Sequence, residues 1–184
     1  MLLPGVGVCM PIIMIVTAFA ALISSGGAPR ASICMGKQDN KSAEQILGNC
    51  FSLQIVVSIV LTVVLLIWNK DLLMVFGASK NTLGYATDYM RIYALGTLFV
   101  QLTLGMNAFI TAQGFTTTSM VSVLIGAICN ITLDPVFIFV FNMGVKGAAL
   151  ATVLSQAIST IWVVVFLSGK KHSFICEKIY GLET

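Results

Sequence analysis

The sequence predicts an all-α protein, a polytopic bundle of about five membrane-crossing helices, and three observations carry that expectation. The first is composition: 58% of the 184 residues are apolar and 9% are charged, with a mean hydropathy of +0.98. An ordinary globular chain is about 45 to 50% apolar and about 25% charged. The second is where the charges fall: none before Arg30, none from Gln45 to Asn69, none from Ile92 to Leu133 and none from Gly147 to Gly169. Each gap reaches the length of about 20 residues that a helix needs to cross a bilayer. The third is that the gap from Ile92 to Leu133 is about twice one crossing and is interrupted by the run from Ala112 to Ser119, which reads as a turn between two spans.

In chain order, the first span covers roughly 3 to 25, and Pro4, Pro11 and its glycines predict a kink. It has no basic leader and no small-residue cleavage site, and more spans follow, so it reads as a membrane helix rather than a secretory signal peptide. A loop from Arg30 to Glu44 follows, carrying Arg30, Lys37 and Lys41. The second span covers 46 to 68. The segment from Asn69 to Asp88 holds Leu72, Leu73, Val75 and Phe76 before Gly77-Ala78-Ser79. It reads either as a short interfacial helix stopped at the glycine or as an apolar loop packed on the helix ends. The third, fourth and fifth spans cover 88 to 112, 119 to 141 and 147 to 168. Gly96, Gly105, Gly126 and the run Gly147-Ala148-Ala149 with Ala151 offer small positions where neighbouring helices can approach closely.

With five spans, the first loop, the uncharged loop at 113 to 118 and the tail share one side of the membrane. Arg30, Lys37, Lys41, Lys170, Lys171 and Lys178 fall there, against Lys70, Lys80, Arg91 and Lys146 opposite, which favours the first set as cytoplasmic. Residue 1 would then start outside. That start, and the odd number of spans, lead us to expect a piece of something longer, with at least one further helix upstream.

Composition also excludes classes of function. The five cysteines, Cys9, Cys34, Cys50, Cys129 and Cys176, show no ligand spacing and read as small packing residues. The lone His172 makes no metal site by itself. A net charge of +3, scattered along the chain, argues against nucleic acid. There are no paired acids, no His cluster and no activated Ser such as a membrane-embedded enzyme would need, so no catalytic residues and no organic cofactor are expected.

One stretch stands out: Asn130-Ile131-Thr132-Leu133-Asp134-Pro135, inside an otherwise uncharged run. Asn130 and Asp134 are one helical turn apart and share a face. Pro135 has no N–H for the carbonyl of Ile131, so a helix through it bends and loosens a carbonyl. An acid held in hydrocarbon must be paired, hydrated, protonated or cation-bound, and its default reading is a proton or ion site. The plain alternative makes Asp134 the N-cap and Pro135 the first residue of a new helix. At 1.5 Å per residue, Asp134 lies roughly 10 Å and Thr152 roughly 8 Å below the outer surface, on sequential antiparallel helices. The plain alternative for Thr152 is a hydroxyl bonded back to the preceding turn. Gln101 and Asn107, in the third span, either face a solute cavity or bond across helices. Tyr89 has the usual alternative of an interfacial aromatic.

These residues also carry a likeness. Gly26-Gly27-Ala28-Pro29 to Gly36-Lys37, Ala43-Glu44 to Gly48-Asn49, Gly77-Ala78-Ser79, Tyr85-Ala86 to Tyr89 and Asn107-Ala108-Phe109 to Gln113-Gly114 come first. Asn130 to Leu133-Asp134-Pro135 and Gly144-Val145-Lys146-Gly147-Ala148-Ala149 to Ala151-Thr152 follow. In that order they resemble the multidrug and toxic compound extrusion (MATE) transporters over nearly the whole chain.

The resemblance implies a partial amino-terminal lobe, residues 1–184, matching helices two to six of a twelve-helix transporter. Such transporters are multi-pass proteins of the cell membrane that export cationic or amphipathic compounds in exchange for H+ or Na+. It further implies that Asn130, Asp134 and Thr152 belong to a coupling-ion site, with Tyr89 beside them, and that any bound metal would be Na+ at Asp134. The implied partners are membrane lipid, a small organic cation or amphipathic drug, and the missing transporter lobe. The family's first helix, which brings a second acid to that site, and the carboxy-terminal lobe have no counterpart here. A flippase or exporter for lipid-linked precursors or polysaccharides, and a membrane scaffold without transport activity, are the rival expectations.

Overall fold

The computed structural model describes residues 2–79 and 82–169, and among these every regular element is helical. In order they are α1 (Leu2–Gly36), α2 (Asn40–Ile67), α3 (Asn69–Val75), α4 (Leu83–Ala112), α5 (Thr116–Pro135) with a π-helical turn at Val136–Val140, and α6 (Val145–Ser168). Five are long and apolar enough to cross a bilayer, α5 counting together with its π turn, and α3 is a short spacer of 7 residues between two of them.

α4 is the axis of the bundle. α1, α2, α3, α5 and α6 all pack on it, while α1 also meets α2 and α5 meets α6. It is both the most enclosed of the five spans and the least apolar, the reverse of what water would select. Lipid tails are as apolar as Leu, so the outer helices must be apolar all round, whereas the enclosed helix can carry polar groups that find partners in protein. Thr87, Thr97, Gln101, Thr103 and Asn107 of α4 are all buried. Thr62 Oγ1 of α2 donates to Ala94 O (2.9 Å) and Thr103 pairs with Thr160 of α6 (2.7 Å).

The expected small positions are contacts. A Cβ on Gly96 would meet Val153, one on Gly126 would meet Ser159, and one on Gly105 would meet the carboxamide of Gln54. Gly27, read only as part of a motif, is another: its missing Cβ leaves room for Cys50 and Phe109.

Two boundaries differ from expectation. α1 was expected to stop near residue 25 and a loop to run from Arg30 to Glu44, but the helix continues unbroken through Pro11 and Pro29 to Gly36. The connection to α2 is a tight turn at residues 37 to 39, with Gln38 at φ 62°. Charge marks the edge of the hydrocarbon, not the end of a helix. At 35 residues α1 is about 52 Å long, well beyond a core of about 30 Å, so its charged end can stand in water while still helical. The second difference lies at α3, where both sequence readings hold in part. The segment is a helix, closed by N–H donation from Ala78 to Leu73 O (2.9 Å) with Gly77 at φ 94°, yet Leu73 is buried in the core.

Cys9 Sγ donates to Ala86 O (3.7 Å), and Cys34, Cys50 and Cys129 are free thiols. Cys176, His172 and the lysines at 80, 170, 171 and 178 lie outside the described residues.

At the aqueous turn, Asp39 Oδ1 accepts the Ser42 N–H (3.1 Å), capping α2, and the Ser42 hydrogen bonds hold its carboxyl below the ordinary carboxylate range. A lowered folded value means that the cap is complete above about pH 4 and is lost as pH falls through the folded value. Amide exchange over residues 40 to 44 should therefore quicken only on strong acidification, and in Asp39→Ala at neutral pH as well. Gly147 gives a test of close packing, because a Cβ there would lie 2.8 Å from the backbone carbonyl of Phe137. Gly147→Ala should lower the thermal midpoint of the detergent-purified chain by an overpacking penalty of about 1 to 3 kcal/mol, while an unchanged midpoint would mean that α6 and the π turn are free to separate.

Candidate functional site

Pro135 decides the local backbone. The helix neither ends at Asp134 nor restarts there: Pro135 closes α5 and the chain continues as a π turn. Without a proline N–H the regular ladder is interrupted, so the Val136 N–H reaches Leu133 O, and Phe141 N–H reaches back five residues to Val136 O (3.0 Å). The carbonyl of Phe137 then accepts the Met143 N–H (3.1 Å), folding the connection tightly into α6. Asn142 at φ 52° and Gly144 at φ 55° complete that reversal.

The result brings the end of α5 against the first turns of α4 and α6. Tyr89 lies about 9 Å along α4 from its start and Thr152 about 10 Å along α6 from its start. Asn130 Nδ2 donates to Thr152 Oγ1 (3.5 Å), and the Thr152 hydroxyl donates to Ala148 O (3.0 Å). The back-bonded reading of Thr152 therefore holds, and the bond that crosses from α5 comes from Asn130 rather than from Asp134. Tyr89 lies near Thr152. A hydroxyl has one proton, and Ala148 takes it, so toward Asn130 the Thr152 oxygen is an acceptor.

Asp134 lies one turn beyond Asn130, half-buried, close enough to Tyr89 for its charge to be felt there. Its Oδ1 is buried without a hydrogen-bond partner, and among the described residues no hydrogen bond joins it to Thr152. Asn130, Asp134, Thr152 and Tyr89 are therefore neighbours, with the amide as the link between α5 and α6. The donor set is oxygen-rich, one carboxylate with amide, hydroxyl and phenol. That suits a proton or a hard monovalent cation and not a soft transition metal. Among the described residues no three His, Cys, Asp or Glu side chains gather as metal ligands.

Gln101 and Asn107 lie elsewhere. Gln101 is about 18 Å along α4 from Tyr89 and donates through Nε2 to Val16 O of α1 (2.9 Å). Asn107 accepts from the Ser122 hydroxyl of α5 (2.8 Å). Both side chains bond across helices inside the packed bundle.

Two features escaped the sequence. Tyr93 stacks beneath Tyr89 with ring centres 6.2 Å apart, a partnership that the spacing of four on one helix could have disclosed. The ion pair of Lys146 with Asp88 (3.4 Å), joining the first turns of α6 and α4 at the rim, had no local signal.

Comparison with known proteins agrees with the helical fold. The MatE family model matches residues 2–136. The Multidrug export protein MepA of Staphylococcus haemolyticus (strain JCSC1435) is 29% identical over 172 residues, covering 94% of this chain and 38% of that protein. A solved structure described as the inward-facing conformation of a multidrug resistance MATE family transporter of the MOP superfamily superposes with a TM-score of 0.87 at 26% identity, over 91% of this chain and 38% of that one. Its outward-facing counterpart superposes with a TM-score of 0.86, at 26% identity and over 92% and 38% of the two chains. The chain thus spans about 38% of the length of these relatives.

Because Thr152 Oγ1 accepts from Asn130, Thr152→Val should strand the Asn130 amide, destabilising the purified chain by about 1 to 3 kcal/mol. Thr152→Ser should restore most of the loss, and thermal unfolding of the pair of variants distinguishes the missing oxygen from a change of packing.

Proposed function

The chain belongs to the MatE family, and from that premise we propose that it forms the amino-terminal lobe of an ion-coupled exporter in the cell membrane. The lobe carries the coupling-ion site and exports cationic or amphipathic compounds in exchange for H+ or Na+. The observation that carries this reading is the buried, unpartnered carboxylate oxygen of Asp134 beside Asn130, Thr152 and Tyr89. A charged oxygen left so is costly in a low-dielectric bundle, and a proton or a sodium ion removes that cost.

Binding of the ion changes the charge at the seam where α4, α5 and α6 meet. It can bias a conformational equilibrium only through different affinity in the two states. The near-equal match to inward-facing and outward-facing relatives supports a lobe that keeps its internal packing while its position relative to a second lobe changes. On this reading the partner is a complementary six-helix lobe, the substrate enters between the two, and the lobe performs no covalent chemistry.

The test is efflux by an intact relative carrying this lobe, reconstituted with an imposed pH or Na+ gradient. Asp134→Asn should reduce gradient-driven export to background while leaving membrane insertion and yield unchanged. Undiminished efflux by that variant would remove Asp134 from the mechanism, and comparing the two gradients identifies the coupling ion.

A further inference from the structure

A second buried polar group lies away from Asp134, where α1, α2 and α4 meet. From Leu53 to Ile67, α2 is apolar except along one stripe, where Gln54, Ser58 and Thr62 follow at intervals of four and so share a face. Thr62 reaches Ala94 O, and the Gln54 carboxamide lies against Gly105, in the space that a Cβ would fill. The two contacts fix an antiparallel register in which the stripe faces Thr97, Gln101 and Gly105 of α4. Gln101 is one turn from Gly105 on that face, about 6 Å along the axis.

The hydrogen-bond inventory at this junction does not close. Gln54 is 0% exposed, and neither its Oε1 nor its Nε2 has a partner. Gln101, also 0% exposed, gives its Nε2 to Val16 O, and its Oε1 is unpartnered. The hydroxyls of Ser58 and Thr97 donate to Ile55 O (2.7 Å) and Tyr93 O (3.4 Å), which leaves them only as acceptors. The junction therefore holds one unpartnered carboxamide nitrogen and two unpartnered carbonyl oxygens in the middle of the membrane, where no lipid group can answer them. Polar side chains so placed are hydrogen-bonded in native proteins, to protein or to ordered water. A single water molecule can serve all three atoms, giving its two protons to the oxygens and receiving from the nitrogen.

We propose that Gln54 and Gln101 hold an internal water molecule at the α1–α2–α4 junction, accepting its two protons on their Oε1 atoms while Gln54 Nε2 donates to its oxygen. Gly105 belongs to the site because its missing Cβ is what admits the Gln54 head group. This water is separate from the Asp134 site and ties together three helices within the lobe.

Water-edited solid-state NMR of the full chain in lipid bilayers reads the site directly. Polarisation from water should reach the Gln54 side-chain amide several times faster than the neighbouring Val57 and Leu61 methyl groups. Gln101→Leu, which removes one of the two acceptors, should abolish that difference. A Gln54 amide that receives polarisation no faster than the methyl groups overturns the proposal. Thermal unfolding gives an independent reading of opposite sign for the two cases. With water present, Gln54→Leu strands Gln101 and lowers the midpoint. A dry junction would make the same variant more stable, because an unpartnered amide would have been removed, and a raised midpoint therefore also overturns the proposal.

Discussion

The polar groups in this bundle answer to one constraint: hydrocarbon offers no hydrogen bonds, so whatever the helices carry inward must be satisfied by other helices or by enclosed water. That constraint selects α4 as the axis. A helix with Thr87, Thr97, Gln101, Thr103 and Asn107 on its sides cannot face lipid, and enclosed by its neighbours it can engage α1 through Gln101, α5 through Asn107 and α6 through Thr103. The apolar outer helices are then placed by where these bonds fall. Small residues set the distances: Gly96, Gly105 and Gly126 let α6, α2 and again α6 come close enough for short hydroxyl and amide side chains to reach across.

At one end of the bundle the same rule is left unmet. Pro135 removes a donor from the α5 ladder, the π turn absorbs the interruption, and Gly147 lets the Phe137 backbone lie directly on α6. Together they hold the last turn of α5 where Asn130 reaches Thr152 and where Asp134 keeps one buried oxygen unmatched. A π turn is a rare choice that recurs at functional sites. Here it occurs within two residues of the only acid in the run from Ile92 to Phe141.

Much of the site was legible because its parts are local. The spacing of four between Asn130 and Asp134, the proline after the acid, and the short connection to α6 are all written in consecutive residues. They suffice to put acid, amide and hydroxyl at one depth. The ambiguity of Asp-Pro was not resolvable from sequence, because a cap and a continued helix use the same dipeptide, and only packing against Gly147 and α6 separates them. Thr152 shows the same limit: its back-bond to Ala148 is implied by one helix, its acceptance from Asn130 by two. The stripe of Gln54, Ser58 and Thr62 has a regular spacing, but on an apolar span it declared no partner.

Sequence alone determined the membrane class and the number of spans, and it singled out the residues proposed for the ion site, since hydropathy, charge gaps and short motifs are properties of neighbouring residues. It misplaced the end of α1, because charged residues report where lipid ends while a helix can continue into water. Tertiary structure decided which span lies at the centre and which polar groups are matched. It also decided that the chain passes Pro135 as a π turn, because each of these depends on what a second or third helix brings to the same point.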